Sequence, residues 1–251
     1  MSGEQELAGK VAIVTGSTRR MGRAIALRLA EAGASIVVNG KTMAKNADAV
    51  VRDIEALGGT AIAAMADITK PAEVKRMVDA TMAKFGRIDI LVNTVAVRHH
   101  SPLAETTLEE WHEVLASILD GSFLCSQACA PHLVANQGAI VNIGGASPHF
   151  GVKDHAAVMA AKMGLIGLTR ALAMDLGPDV VVNCLVPGRI EAKEDRRSSG
   201  SSSNYSMDRI PSKRAGSLGE VAEAVLMLCG PRCRFINAQA INISGGMVFG
   251  I

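Results

Sequence analysis

The sequence predicts an α/β protein. It reads as one domain spanning residues 1–251, built on a doubly wound parallel sheet of about seven strands with helices on both faces. Three observations lead there. Short β-branched runs alternate with helical apolar stripes along the whole chain. The runs are apolar at consecutive positions, as strands covered on both faces must be. The chain holds 251 residues, 49% of them hydrophobic, enough for one large core.

Each element can be justified in turn. Val11-Ala12-Ile13-Val14 is a buried central strand, and Met21, Ile25 and Leu29 form the helical stripe after it, ending at Gly33. Ile36-Val37-Val38 is the second strand. Ala47, Val50, Ile54 and Leu57 face one way on a helix that stops at Gly58-Gly59. Ala61–Ala64 is the third strand, followed by a helix marked by Val74, Val78, Met82 and Phe85. The pattern continues through a strand at Ile88–Val92, a long helix from about Leu108 to Ala135, and a strand at Ala139–Ile143. A helix around Lys162 to Leu176, a strand Val180–Leu185, a helix near Val221–Leu228 and a strand Ala240–Ile243 complete it. The stretch from Arg196 to Met207 has no apolar period and reads as a flexible substrate loop.

Composition narrows the function. A net charge of +2 with scattered basic residues gives no footprint for nucleic acid. No run reaches the ~18 uncharged apolar residues of a membrane span, and the start of the chain carries no apolar leader. Five cysteines without paired metal spacing read as small buried residues in a reducing compartment. The expectation is a cytoplasmic protein with no metal, no membrane and a small-molecule substrate or metabolite as partner.

The turn Thr15-Gly16-Ser17-Thr18-Arg19-Arg20-Met21-Gly22 joins the first strand to the first helix. In that context backbone N–H groups and a helix N-terminus can face a dinucleotide pyrophosphate, with Gly16 and Gly22 where the chain must turn or approach closely. On these residues the chain resembles the short-chain dehydrogenase/reductase family, whose turn runs Thr-Gly-x-x-x-Gly-x-Gly; Arg20 takes the middle glycine's place, as in pteridine-reductase-like members. Other residues carry the resemblance along nearly the whole length. Asp67-Ile68 matches the pair that contacts adenine. Asp89–Asn93 matches the strand entering the Asn-Asn-Ala-Gly motif, with departures at Thr94, Val95 and Ala96. Trp111, Gly121, Phe123, Pro187-Gly188-Arg189-Ile190 and Gly245-Gly246 match further landmarks. The resemblance implies a Rossmann-like fold, a nicotinamide cofactor held by residues 16–22, Lys41, Asp67, Ile68, Asn93, Thr94, Lys162, Pro187, Gly188 and Ile190, and a homodimer or homotetramer.

Asn39-Gly40-Lys41 ends the second strand without a carboxylate to receive a free ribose 2′-OH. Lys41 and Arg19 would instead face a 2′-phosphate, so NADP(H) is preferred over NAD(H).

The family's chemistry departs most. The resemblance implies a tyrosine four places before the lysine as proton donor, a serine thirteen places before that tyrosine, and an asparagine on the long helix. At those positions stand Val158, Gly145 and Ile118; Lys162 alone remains. An apolar pocket would depress the lysine pKa. Histidine can supply a proton near neutrality, and His155 is the first candidate, His149 the second. Arg98, His99, His100, Ser147, Lys153, Asp154 and Asp120 are the other polar residues nearby. The leading expectation is an NADP(H)-dependent oxidoreductase acting on a small carbonyl or alcohol through a non-standard donor. A silent cofactor-binding protein or partner subunit, and a lyase or isomerase reusing the pocket, are the alternatives.

Overall fold

The computed structural model describes residues 5–191 and 207–249; residues 196–206 of the expected substrate loop lie outside them. Seven parallel strands form one sheet: β1 (Val11–Val14), β2 (Ser35–Gly40), β3 (Ala61–Met65), β4 (Ile90–Asn93), β5 (Ala139–Ile143), β6 (Val181–Pro187) and β7 (Ala240–Ile243), in the order β3-β2-β1-β4-β5-β6-β7. The chain builds outward from β1 to β3, then returns to place β4 on the other side of β1. The reversal between β1 and β4 opens a crevice at the carboxyl ends of the strands, where α/β sheets hold ligands.

Strand periodicity sorts the core into two layers. Ala12 and Val14 point into one cluster with Ile25 and Leu29 of α1 (Arg20–Glu31), Val50 and Ile54 of α2 (Ala44–Ala56), and Val221 and Val225 of α7 (Leu218–Cys229). Ile13 points the other way, with Val74 and Met77 of α3 (Pro71–Phe85) and Cys125, Cys129 and Leu133 of α5 (Gly121–Ala135). Consecutive residues thus serve opposite faces, which is why the strands are apolar throughout. At the amino edge of the sheet, buried Asp89 accepts from Lys10, Arg87 and the Val11 amide.

Three details differ from the sequence reading. The long helix is not continuous: α4 (Leu108–Leu115) passes into a π-helical turn at Ala116–Asp120 before α5 begins. The helix carrying Lys162, α6, spans Ala156–Leu176 and so starts six residues earlier than expected. Its first turns, Ala-Ala-Val-Met-Ala-Ala, are apolar all round and give no period from which to read a start. The strand expected at Val180–Leu185 extends to Pro187. Moreover, Leu108–Ala135 and Ala156–Leu176 do reach the length and apolarity of a membrane span, against the sequence expectation. In the fold, 44% and 50% of their most apolar windows are buried.

Candidate active site

Because all strands are parallel, their carboxyl ends bring the expected residues to one edge. Residues 15–22 follow β1, Lys41 follows β2, Asp67 lies just beyond β3, Asn93 ends β4 and Pro187 ends β6. The turn after β1 is formed by close backbone approach. Gly16 has φ +62, and a Cβ on Gly22 would lie 2.4 Å from the Gly16 oxygen. Arg20 has φ +48, a left-handed conformation that favours glycine.

Several expected side chains are committed to holding this edge together. Ser17 Oγ donates to the Val14 carbonyl at 2.6 Å and accepts from the Asn39 amide at 3.0 Å. Thr94 Oγ1 donates to the Thr15 carbonyl at 2.5 Å. Asn93 Nδ2 donates to Asn142 Oδ1 at 2.9 Å, while its Oδ1 is buried without a hydrogen-bond partner among the described residues. The Ile68 side chain is buried in the core layer over α3 and α5, which leaves its backbone as the part able to meet a ligand. Gly188 lies so close to Ser244 that a Cβ would meet its Cα at 2.8 Å, and Ile190 forms a bridge with Gly216.

Lys41 and Asp67 meet directly, Nζ to Oδ2, at 2.9 Å. Burial would raise the Asp67 pKa, but the bonds from Lys41 and Thr69 outweigh it and hold the carboxyl below its ordinary value. The hydrogen bond and charge of Asp67 raise that of Lys41.

Lys162 is 4% exposed, and its Nζ donates to the Ile143 carbonyl at 2.5 Å. Burial, then the Arg98 charge, lower its pKa to about 7, against an upward pull from Cys184. One turn before it, Val158 is 4% exposed and packs in an apolar cluster with Val114, Ile118, Ala161 and Leu165, flanked by Ala96 and Trp111. Ile118, fully buried, sits in the middle of the π-helical turn, a feature frequent at functional sites. Gly145 faces open space: a Cβ there would meet nothing within 4 Å.

The two expected histidines are placed differently. His155 occupies the N-cap position of α6, and its Nδ1 lies 2.6 Å from the Lys153 carbonyl. A carbonyl only accepts, so Nδ1 carries the hydrogen and Nε2 is left for other partners. Its ring meets that of His100 edge-on, centroids 4.1 Å apart at 85°. His149 stands on a 3₁₀ turn, Ser147–His149, with both ring nitrogens buried and without hydrogen-bond partners among the described residues. Among the described residues, no hydrogen bond or ion pair joins either histidine to Lys162. No group of three or more metal-ligating side chains occurs there either.

Sequence reasoning gave no structural role to Asn39 or Asn142, and it named His100 only among the polar residues nearby. Asn39 ties the edge together, accepting from the Gly16 amide and donating to the Ala64 and Ala66 carbonyls. Asn142 links Asn93 to Thr169. A polar residue inside a run that is otherwise apolar on both faces was the available signal for each asparagine. His100 has no such mark, because its contact with His155 is purely tertiary.

Comparison with known proteins agrees with this architecture. A family model described as enoyl-(acyl carrier protein) reductase matches residues 16–248. The 3-oxoacyl-[acyl-carrier-protein] reductase FabG of Staphylococcus epidermidis is 34% identical over 240 residues, covering 95% of this chain and 98% of that protein. A 3-oxoacyl-[acyl-carrier-protein] reductase of Synechocystis is 36% identical over 245 residues, covering 96% and 98%. The crystal structure of a short chain dehydrogenase from Burkholderia cenocepacia in complex with NADP superposes with a TM-score of 0.90 at 36% identity, over 96% of this chain and 99% of that one. With its sheet order, its glycine-bearing turn and these relatives, the chain belongs to the short-chain dehydrogenase/reductase family of nicotinamide-nucleotide oxidoreductases.

Proposed function

We propose that this protein is an NADP(H)-dependent oxidoreductase for a small carbonyl or alcohol substrate, with a histidine in place of the family's tyrosine. The observation that carries the reading is the contrast on α6: Lys162 is retained and buried, while Val158, one turn away, lies in an apolar cluster and offers no proton. The residues present fit a dinucleotide. Gly16 and Gly22 let the turn after β1 pack closely on itself and on Thr94 and Val95, and the buried, unpaired Asn93 Oδ1 offers an acceptor at the same edge. NADPH, when bound, supplies the hydride.

The chain's own residues do the rest. The amides of residues 16–22 would hold the pyrophosphate, and Lys41 with Arg19 would meet the 2′-phosphate, for which Lys41 must be shared with Asp67. Lys162 would hold the ribose hydroxyls; burial, then the Arg98 charge, lower its pKa to about 7. His155 would exchange the proton through Nε2, the nitrogen left by its bond to Lys153. His149 is the second candidate, because its unpaired nitrogens await a partner. The apolar walls, Val158 and Ile118, would exclude water. Assembly as a homodimer or homotetramer and a cytoplasmic location complete the proposal, in keeping with the free cysteines at 125, 129, 184, 229 and 233.

The test is NADPH oxidation against a panel of carbonyl compounds. Turnover is expected, reduced about 10²–10⁴-fold by His155→Ala and abolished by Lys162→Ala. A protein that binds NADPH tightly yet turns over no member of the panel overturns the reading.

A further inference from the structure

We propose that the substrate carries an anionic group that docks against His100, the ring in edge contact with His155, at the carboxyl edge of the sheet. This rests on the oxidoreductase reading and names its substrate class. Two imidazoles in edge contact, centroids 4.1 Å apart, form the geometric core of the site. The Nδ1 of His155 is tied to the Lys153 carbonyl and its remaining nitrogen is kept for the proton transfer, so His100 is the ring that meets the anion.

The surrounding charge favours an anion. His100 feels His155, Arg98 and His99 on one side and Asp154 on the other. Glu113, the other nearby carboxylate, is engaged by His99 at 2.7 Å. Arg98 also acts on buried Lys162, which connects this edge electrostatically with the site amine. Burial and then the charges of His155, Arg98 and His99 hold the His100 pKa below its ordinary value, against the pull of Asp154. An anion seated there would favour the imidazolium form, so binding should take up a proton and strengthen as pH falls. Ala96 and Trp111, partly buried against the cluster of Val158 and Ile118, would meet an apolar body. Acid at the mouth and carbonyl inside is the orientation this arrangement selects.

The experiment is calorimetric titration of the protein, saturated with NADP⁺, with oxo-carboxylates and their matched neutral methyl ketones at pH 6 and pH 8, alongside a phosphate-bearing ketone. At least one acid, carboxylate or phosphate, should bind about tenfold tighter than its neutral counterpart at pH 6. That ratio should shrink at pH 8 and vanish in His100→Gln, whose melting temperature should match the parent because the residue is exposed. Which acid binds tighter identifies the source of the anion. Equal affinity for acids and ketones, a ratio indifferent to pH, or a ratio unchanged in His100→Gln overturns the proposal. Reduction of neutral ketones without acid preference overturns it while leaving the oxidoreductase reading intact. Acid binding with no reduction of any compound sustains it and overturns that reading instead.

Discussion

The two halves of the carboxyl edge are built on different principles. Around β1 to β3 the site is made of backbone: glycine contacts, amides, and hydroxyls and an asparagine spent on holding strands together. Around β5 and α6 it is made of side chains, where an apolar cluster surrounds one buried amine. A backbone site tolerates side-chain change provided its turns survive, so Arg20 can replace a glycine without loss of the fold. A side-chain site changes character with each residue exchanged.

Four experiments would break or sharpen that comparison. The largest effect belongs to Gly22→Ala. A methyl there would sit 2.4 Å from the Gly16 oxygen and 2.8 Å from Ser17 Cα. It should weaken NADPH binding by more than ~100-fold and cost about 3 kcal/mol of stability, measured by fluorescence titration and denaturant unfolding.

Next comes Lys162→Met. A lysine whose folded pKa is about 7 and whose unfolded value is near 10.5 binds its proton less readily when folded. Between those pH values the unfolded state holds more protons, so stability of the parent rises with pH across that window. Below pH ~7 the full cost of burying the charge is present. The variant should therefore exceed the parent by an amount on the order of a few kcal/mol below neutrality. The gain should decline toward pH 10.5, followed by unfolding at a series of pH values. A pH-independent difference would show that the amine is not a buried cation at low pH.

Within the chemical half, Val158→Tyr and Gly145→Ser should part company. The ring would overpack the cluster of Val114, Ile118 and Leu165 at about 1–3 kcal/mol. The serine enters open space and should stay within ~0.5 kcal/mol of the parent. Equal melting temperatures for both variants would mean that the cluster is looser than its burial indicates. The smaller of the two effects on cofactor binding belongs to Lys41→Ala. Its ion pair with Asp67 is exposed on the lysine side, so stability should fall by under ~1 kcal/mol. NADPH affinity should drop about five- to tenfold, less at high salt, with NADH unaffected.

The same division explains what the sequence disclosed. Strand identities were readable because burial on both faces leaves an unbroken apolar run, as at Val11–Val14 and Ile36–Val38. The tight turn after β1 was readable from Gly16 and Gly22 between a strand and a helix. The start of α6 was hidden because Ala156–Ala161 lacks a period, and that boundary is what places Val158 and Lys162 one turn apart on a single helix. The π-helical turn at Ala116–Asp120 leaves no local mark either. The depression of the Lys162 pKa could be anticipated from Val158, Ile118 and Gly145, whereas the bond to Ile143 and the influence of Arg98 could not. Contacts such as His100 with His155, or Lys41 with Asp67, join residues from separate loops that no short-range pattern links.

One consequence of the left-handed Arg20 concerns trade-offs. A side chain held at φ +48 carries a cost of about 1–3 kcal/mol that glycine would not. Arg20→Gly should accordingly melt at a higher temperature by calorimetry while removing a cation from the place where a diphosphate would rest. Thermal resistance and grip on the nucleotide would then move in opposite directions at a single position.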